Sequence, residues 1–370
     1  MKGRKANRTK IDTSNNVTSE SRVMMLPATM RAARIHDYGR PLQLDEVPVP
    51  RPGPGEVLVR VRGAGFCHSD LHIISGDIRM LPRMPLTLGH ENAGVVAATG
   101  PGVQAVKEGD PVAVYGGWGD GTCDYCVSGE ENLCDTMQWV ALSQHDGGYA
   151  EYLLVPHERH LVKLPHLDPR IAAAFTDAAL TPYRAISRAL PAITPDYPVL
   201  VIGTGGLGQF GVKILRLLTG SEVIAADIAD DKLATARELG AHHAVNTRNT
   251  GALEQILELS RGGVAAAFDF VGADVTLALA FGATRKRGRV VHVGLAGGTA
   301  HLKAIESWRP EVQFSYSWWG NTKELREVLA MADDGRLTPI PLEYEPLEKI
   351  NDVYERVKGG RVKGRAVIVP

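Results

Sequence analysis

Residues 120–134 read DGTCDYCVSGEENLC. Asp120, Cys123, Cys126 and Cys134 follow one another at spacings of three, three and eight, close enough for one loop to wrap a tetrahedral zinc ion. Zinc accepts thiolate sulfur and carboxylate oxygen alike, so Asp120 is chemically admissible as the fourth ligand. Four protein ligands leave no open position, and such a site stabilises a loop rather than doing chemistry. The remaining cysteine, Cys67, stands apart in GFCHSDLH. A His-Glu pair, His90 and Glu91, sits in LTLGHENAG at residues 86–94, with Gly89 and Gly94 on its flanks. That stretch alone also reads as an ordinary exposed turn. Cys67 and His90 are both metal-ligand types, but spacing by itself does not decide whether they meet.

A second kind of chemistry is written at residues 199–227. Gly203, Gly205 and Gly208 form G-x-G-x-x-G directly after the apolar run Val199–Ile202 and ahead of a helix-period stretch. The first glycine permits a tight turn, the second lets backbone approach a pyrophosphate, and the third lets helix and strand pack closely. The helix start, with Gly206 and Leu207, offers free N–H groups and partial positive charge to phosphates. Asp227 lies nineteen residues after Gly208, at the end of the next apolar run. A carboxylate there accepts hydrogen bonds from ribose hydroxyls and repels a 2′-phosphate, so NAD is expected over NADP. The competing reading is a glycine-rich turn in an unrelated α/β sheet with Asp227 as a helix cap.

The surrounding pattern must position these groups. From Met30 to about Leu180 the runs EVLVRVRGAGF and GDPVAVYGG read as short strands bounded by glycine and proline. From about Ala185 to Ser317, apolar strands alternate with helical segments, and AAAFDFVG and GRVVHVGLAGG continue the series, which implies a parallel sheet with helical crossovers. The last fifty or so residues carry a helix-like TKELREVLAMADDG and an apolar GRAVIVP, expected to return to the first domain. The expected division is therefore 1–29 as a polar disordered arm, 30–184 as a β-rich domain carrying the four cysteines, 185–317 as a nucleotide-binding domain and 318–370 as the return segment. The arm holds six basic residues against two acidic ones and no apolar h-region.

The 370 residues are 44% hydrophobic with a formal net charge of −1, ample for two cores and without the charge excess that attracts nucleic acid or anionic membrane. No apolar run approaches the roughly 18 residues of a membrane helix. Cysteines clustered at ligand spacing in a chain without a signal peptide point to metal and to a reducing cytoplasm.

With those residues in view, GHENAGVVAATGPGV matches at every fixed position the G-H-E-x-x-G-x-x-x-x-x-G-x-x-V signature of zinc-dependent alcohol dehydrogenases of the medium-chain dehydrogenase/reductase superfamily. From Met30 to Pro370 the chain resembles that family, most of all its bacterial and archaeal tetrameric members. The resemblance implies a GroES-like β-rich catalytic domain plus a Rossmann doubly wound parallel-sheet domain. It implies two zinc ions per subunit, one catalytic and one structural, with NAD as cofactor. Cys67, His90 and, in AAFTDAALTPYRA, Asp177 would hold the catalytic ion; many relatives carry cysteine at the last position. Glu91 would lie beneath the metal, and Asp70 would hold the far nitrogen of His90. Ser69 would touch the substrate oxygen and His72 would pass its proton to solvent, with the nicotinamide ribose between them. Lys232, Val293 and Arg365 would join Gly203, Gly205, Gly206, Leu207, Gly208 and Asp227 at the cofactor, Arg365 at the pyrophosphate. His68 reads as a surface residue or a phosphate contact.

Trp118 would line the substrate pocket, while Trp318 and Trp319 stay open between pocket, subunit contact and core. The expected reaction is reversible oxidation of a primary or secondary alcohol to an aldehyde or ketone, in a homotetramer or homodimer. The alternatives are a polyol or amino-alcohol dehydrogenase, a zinc-free quinone reductase, or a non-catalytic superfamily member. Cys67, His90 and the cysteine loop speak against the quinone reductase, and Ser69 and His72 against loss of chemistry.

Overall fold

The computed structural model describes residues 26–301 and 309–370. Residues 1–25 of the expected arm lie outside the described residues, and the first strand already begins at Thr29. Among the described residues no helix is long and apolar enough to cross a membrane.

The β-rich part is organised around the strand Val57–Gly65. Val59 and Val61 are buried while Arg60 and Arg62 are exposed, a period of two along the middle of the strand, and both ends are buried on either face. This strand pairs antiparallel with Glu91–Thr99, Tyr152–Val155 and the carboxy-terminal strand Arg365–Val369. The register is what assembles the site. Gly65 lies opposite Glu91 on one side and opposite Val367 on the other. Continuing each strand by one or two residues brings Cys67, His90 and Arg365 to the same end of the sheet, and the Phe66 N–H donates to the Ala366 carbonyl at 2.9 Å.

The second sheet has six parallel strands in the spatial order His243–Asn246, Val223–Asp227, Val199–Ile202, Val264–Asp269, Thr284–His292, Gln313–Tyr316. In chain order this is 3-2-1-4-5-6, the doubly wound arrangement whose switch point lies between the first and fourth strands. Val199–Ile202 is buried on both faces: Val199 and Val201 enter the core shared with the helices near residues 172–189, and Leu200 and Ile202 enter a separate core on the other side. The helix Gly206–Leu218 follows, so the glycine turn opens at the switch point.

The helix Leu180–Ala189 packs against Gly206–Leu218 and against Thr322–Asp333, and it runs across residue 184, where the sequence pattern changes. Arg184, on this helix, is buried and bridges two carboxylates: Glu324 at 3.0 Å and Glu130, from the cysteine loop, at 2.5 Å. Breaking a buried ion pair by removing one partner costs about 3–5 kcal/mol, because the other charge stays behind unpaired. Arg184→Met is therefore expected to lower the unfolding free energy in urea by about that amount, and Arg184→Met with Glu324→Gln to recover most of it. A single variant as stable as the wild type would remove this network from the fold's support.

Candidate active site

Cys67 caps the helix His68–Ser75, and Asp70 in its first turn accepts the Cys67 backbone N–H at 3.0 Å through Oδ2, which fixes the start of the helix. His90 ends the loop before the strand Glu91–Thr99. Gly89 holds φ at +97°, and a Cβ there would lie 2.6 Å from the Tyr149 ring, so only glycine lets the chain reach His90 along this path. Asp177 precedes the helix Leu180–Ala189. One potential ligand atom from each of Cys67, His90, Glu91 and Asp177 lies within 4.8 Å of the others, and all four residues are buried. Asp177 Oδ2 is 3.5 Å from the Cys67 sulfur and 3.7 Å from His90 Nε2.

Within this group Glu91 is already committed. Both of its carboxylate oxygens accept from the Arg365 guanidinium, Oε2 at 2.9 Å from Nε and Oε1 from Nη2. Cys67, His90 and Asp177 are left as a donor set of sulfur, nitrogen and oxygen, the types zinc takes. The electrostatics favour a cation among them. Burial opposes a charge on His90, yet Asp70 and Asp177 outweigh it and raise the imidazole well above its ordinary value. Burial likewise pushes the Cys67 thiol up, but Arg365 and His90 hold it below the usual thiol range. His90 Nδ1 faces Asp70 Oδ1 at 3.4 Å, and neither atom has another hydrogen-bond partner among the described residues. Asp70 is thus placed against the far nitrogen, as a carboxylate that orients a ligating imidazole is.

Asp120, Cys123, Cys126 and Cys134 form the second group, also within 4.8 Å of one another. Asp120 accepts from the N–H groups of Thr122 at 2.7 Å and Cys123 at 2.9 Å and from the Thr136 hydroxyl at 2.8 Å, and these bonds hold it far below the usual carboxylate range. Burial and the neighbouring thiols of Cys123 and Cys134 push Cys126 up to about 12. A carboxylate and three thiolates at this distance would repel one another, and a divalent cation relieves that repulsion.

The glycine loop carries the expected geometry. Gly203 adopts φ +83°, and a Cβ at Gly208 would lie 1.9 Å from the Gly203 carbonyl oxygen, so helix and strand touch there. A Cβ at Gly205 would meet nothing within 4 Å, which leaves its backbone open to a ligand. Leu207 packs at the edge of the core beneath the loop. Asp227 closes its strand, and its Oδ2 accepts from the Thr204 N–H at 2.6 Å and the Thr204 hydroxyl at 3.0 Å. Val293 is buried beyond the strand Thr284–His292, and its N–H donates to the Asp269 carbonyl at 2.9 Å. Lys232 stands half-buried near Gly360.

Arg365 was expected at the pyrophosphate, and its chief partner is instead Glu91. Its Nη1 still points to the nucleotide loop, 3.1 Å from where a Cβ of Gly206 would stand. The same arginine, with Lys232, acts on His68: desolvation and these two cations push that imidazole down to about 4, although the residue is exposed. Ser69 and His72 lie on the helix capped by Cys67. The Ser69 hydroxyl makes no hydrogen bond among the described residues, and His72 Nδ1 faces Asp77 Oδ2 at 3.4 Å.

Trp118, expected to line the substrate pocket, is only 2% exposed. Its side chain is buried in the β-rich core against His145 and His160, with ring centroids 5.0 and 5.8 Å away, and its indole N–H donates to the Tyr115 carbonyl at 2.6 Å. Trp319 stands beside the metal donors, edge-on to His90 at 5.8 Å, with its indole N–H donating to the Thr176 carbonyl at 3.1 Å. Sequence reasoning also left out Tyr149, whose hydroxyl donates to Asp70 Oδ2 at 2.7 Å, and Thr181, whose hydroxyl donates to Asp177 Oδ1 at 2.5 Å. Thr181 carried a signal, since it follows Asp177 by four residues at a helix start. Tyr149, seventy-nine positions from Asp70, carried none.

Comparison with known proteins agrees with this geometry. Residues 53–166 match the alcohol dehydrogenase GroES-like domain family and residues 206–334 the zinc-binding dehydrogenase family. An NAD-dependent alcohol dehydrogenase of Sulfurisphaera tokodaii is 35% identical over 350 residues, spanning 92% of this chain and all of that protein. The crystal structure of the alcohol dehydrogenase of the archaeon Aeropyrum pernix is 38% identical with a TM-score of 0.87, covering 92% of this chain and 100% of that one. A cobalt- and zinc-bound thermostable alcohol dehydrogenase of Pyrobaculum aerophilum is 29% identical with a TM-score of 0.83, at 92% and 100% coverage. The chain belongs to the zinc-dependent alcohol dehydrogenase family of the medium-chain dehydrogenase/reductase superfamily.

Two donor groups of different construction make different predictions. Cys67→Ala is expected to lose about one equivalent of zinc per chain by elemental analysis with little change in melting temperature. Cys123→Ala is expected to lose one equivalent and to melt markedly lower, because a closed zinc site contributes directly to folding. Equal losses of zinc, stability and activity from both changes would contradict two separate sites.

Proposed function

We propose that this protein is an NAD-dependent zinc alcohol dehydrogenase that interconverts primary or secondary alcohols with aldehydes or ketones, and that Cys67, His90 and Asp177 hold its catalytic ion while Asp120, Cys123, Cys126 and Cys134 hold a structural one. The observation that carries this reading is the position of Arg365. It touches Asp177 Oδ2 at 3.5 Å on one side and stands beside Gly206 on the other, so a single residue joins the metal donors to the nucleotide loop. When bound, zinc polarises the substrate oxygen as a Lewis acid and NAD takes up the hydride.

The chain's own groups do the rest. Gly203, Gly205, Gly206 and Gly208 bring backbone N–H groups and a helix start to the pyrophosphate, where Arg365 Nη1 and Lys232 add positive charge. Asp227 takes the ribose hydroxyls. Glu91 keeps Arg365 in place, and Asp70 keeps the His90 ring turned. Ser69 Oγ accepts the hydrogen bond of the substrate hydroxyl. His72, with Nδ1 turned toward Asp77, leaves Nε2 to hand the proton to water. Imidazole suits this task because its ordinary pKa lies near neutrality.

The same reading divides the chain into a catalytic domain of residues 30–184, completed by 318–370, and a cofactor domain of 185–317. The four free thiols fit a reducing cytoplasm. A homotetramer or homodimer is supported by the edge strand Gln313–Tyr316, which presents Phe314 and Tyr316 to solvent and has a neighbour on one side only.

Two experiments bear on these roles. His72→Gln is expected to lower the alcohol oxidation rate near pH 7 by at most about 10²-fold, the low end of general-base help, because water can replace an exposed relay. Added imidazole should restore part of the loss. Ser69→Ala should be more damaging and not rescued. A rate and pH profile unchanged in His72→Gln would sink the relay.

Asp227→Ala should weaken NAD and narrow its advantage over NADP in kcat/KM, since it removes both the ribose acceptor and the charge that repels a 2′-phosphate. Better kcat/KM with NADP than with NAD in the unaltered enzyme would refute the assignment.

A further inference from the structure

The sheet that carries the glycine turn at one end gathers positive charge at the other. Gly203 follows Val199–Ile202 at the carboxyl end of the parallel strands. At their amino ends, Tyr197 stands two residues before Val199, Gly263 directly precedes Val264, and Arg285 directly follows Thr284, the first residue of its strand. Arg309 lies ahead of the strand Gln313–Tyr316. Residues 284–289 read TRKRGR, four cations in six positions of a chain whose formal net charge is −1.

A break in the strand pairing brings these cations out. Val264 pairs with Thr284 and Ala266 with Arg289. Between those pairs one strand has the single residue Ala265 and the other has four, Arg285 to Gly288, so this segment bulges from the ladder. Gly263 lies against it with φ +146°, and a Cβ there would stand 2.9 Å from Arg285 Cα, so the chain closes over the bulge only at a glycine. Arg285 is half-buried and lays its guanidinium over the Tyr197 ring, 3.4 Å from the centroid, which holds the group before any ligand arrives. Arg309 donates through Nη1 to the Thr284 carbonyl at 2.7 Å.

The result is an open cavity of about 420 Å³ lined by Tyr197, Arg261, Arg285, Lys286, Arg309 and the Gly262–Gly263 turn. None of these lining residues is acidic. The neighbouring Arg287 has Glu311 at 3.3 Å, whereas Arg261, Arg285 and Lys286 make no ion pair among the described residues. A cleft lined by one sign of charge focuses its field inward and raises the local concentration of opposite ions. Like charges held together also disfavour one another, and a bound anion removes that cost.

We propose that this cavity is a second anion site, at the opposite end of the sheet from the glycine turn, and that it takes a small molecule bearing two phosphate groups. A phosphate monoester carries about −1.5 to −2 charge near neutrality, so two of them match the four lining cations. Arginine offers phosphate oxygens a planar pair of N–H groups, and lysine a point charge. The proposal goes beyond the dehydrogenase reading and does not depend on it.

The test is calorimetric titration of the zinc-loaded enzyme with fructose 1,6-bisphosphate and with inorganic phosphate, at fixed ionic strength and with NADH at saturation. NADH occupies the glycine turn, so the titration reads the other end of the sheet. The bisphosphate is expected to bind at one equivalent per chain and about 10-fold or more tightly than inorganic phosphate, the worth of a further charge-assisted hydrogen bond. Lys286→Gln should weaken it by about 10-fold for the same reason. Arg285→Lys keeps the charge and loses the planar fork, and it should weaken binding too, which attraction to a merely basic surface would not show. Lys107→Gln, at an exposed cation of the β-rich domain, should leave binding unchanged. Binding lost on adding NADH, equal affinity for both probes, affinity unmoved by Lys286→Gln and Arg285→Lys, or no heat with either phosphate would overturn the proposal. So would binding of a DNA oligonucleotide in place of the bisphosphate, which marks a polymer surface. Failure of NADH itself to bind would refute the dehydrogenase reading, and the two variants would then decide the cavity alone.

Discussion

The buried pair between Arg365 and Glu91 is the constraint on which the site depends. Neither side chain has solvent to turn to, and an arginine is not neutralised at any accessible pH, so the guanidinium must find its anion inside the protein. The strand register supplies it: Gly65 faces Glu91 on one side and Val367 on the other. A slip of either strand would move the partners to opposite faces of the sheet and leave a charge buried alone. The pair thus ties the carboxy-terminal strand to the His-Glu stretch more firmly than backbone pairing would by itself. It also sorts four potential ligands. With both oxygens on Arg365, Glu91 is withheld from the metal donors, while the remaining field of the guanidinium steadies the anions Cys67 and Asp177.

The two donor groups show how differently such sites are encoded. Asp120, Cys123, Cys126 and Cys134 are gathered by the covalent chain, and their spacing is readable because a short loop has few other ways to use three thiols. Cys67, His90 and Asp177 are gathered by tertiary structure, and no spacing rule joins them. Their types were visible, the signature GHENAGVVAATGPGV named His90, and the wider resemblance pointed to Cys67 and Asp177, but the physical cause of their meeting is a register fixed across three strands and a helix start. The same divide runs through the rest. The glycine turn and Asp227 were legible because strand, turn and helix follow one another along the chain. Tyr149 under Asp70 was not legible, because it arrives from a distant loop.

Trp118 shows a different limit. A large aromatic residue two positions before the cysteine loop is a fair candidate for a pocket, and its position in the chain was read correctly. What the sequence does not carry is the direction of the side chain. The backbone turns Trp118 into the core between His145 and His160, and the space beside Gly116 is filled by Trp319. Arg365 has a second partner that the sequence did not announce. A cation near a nucleotide loop suggests a phosphate contact, but burial demands a fixed anion first, and Glu91 lies within reach. Only Nη1 remains turned to the loop.

The nucleotide side follows the same logic of groups held before their ligand arrives. Asp227 is oriented by the N–H and hydroxyl of Thr204, one residue into the glycine turn, and its Oδ1 accepts from the Ala229 N–H at 3.1 Å. Its carboxylate therefore does not need to be ordered when a ribose binds, and less of the binding free energy is lost to fixing a rotamer. The glycine loop is thus held by the residue proposed to read the ribose. Through Arg365 that loop also adjoins Glu91 and Asp177. The same guanidinium lies 3.5 Å from Asp177 Oδ2 and holds the Cys67 thiol below its usual range. Cofactor site and metal donors are in this sense one electrostatic unit, joined by a guanidinium whose place is set by the register of the sheet.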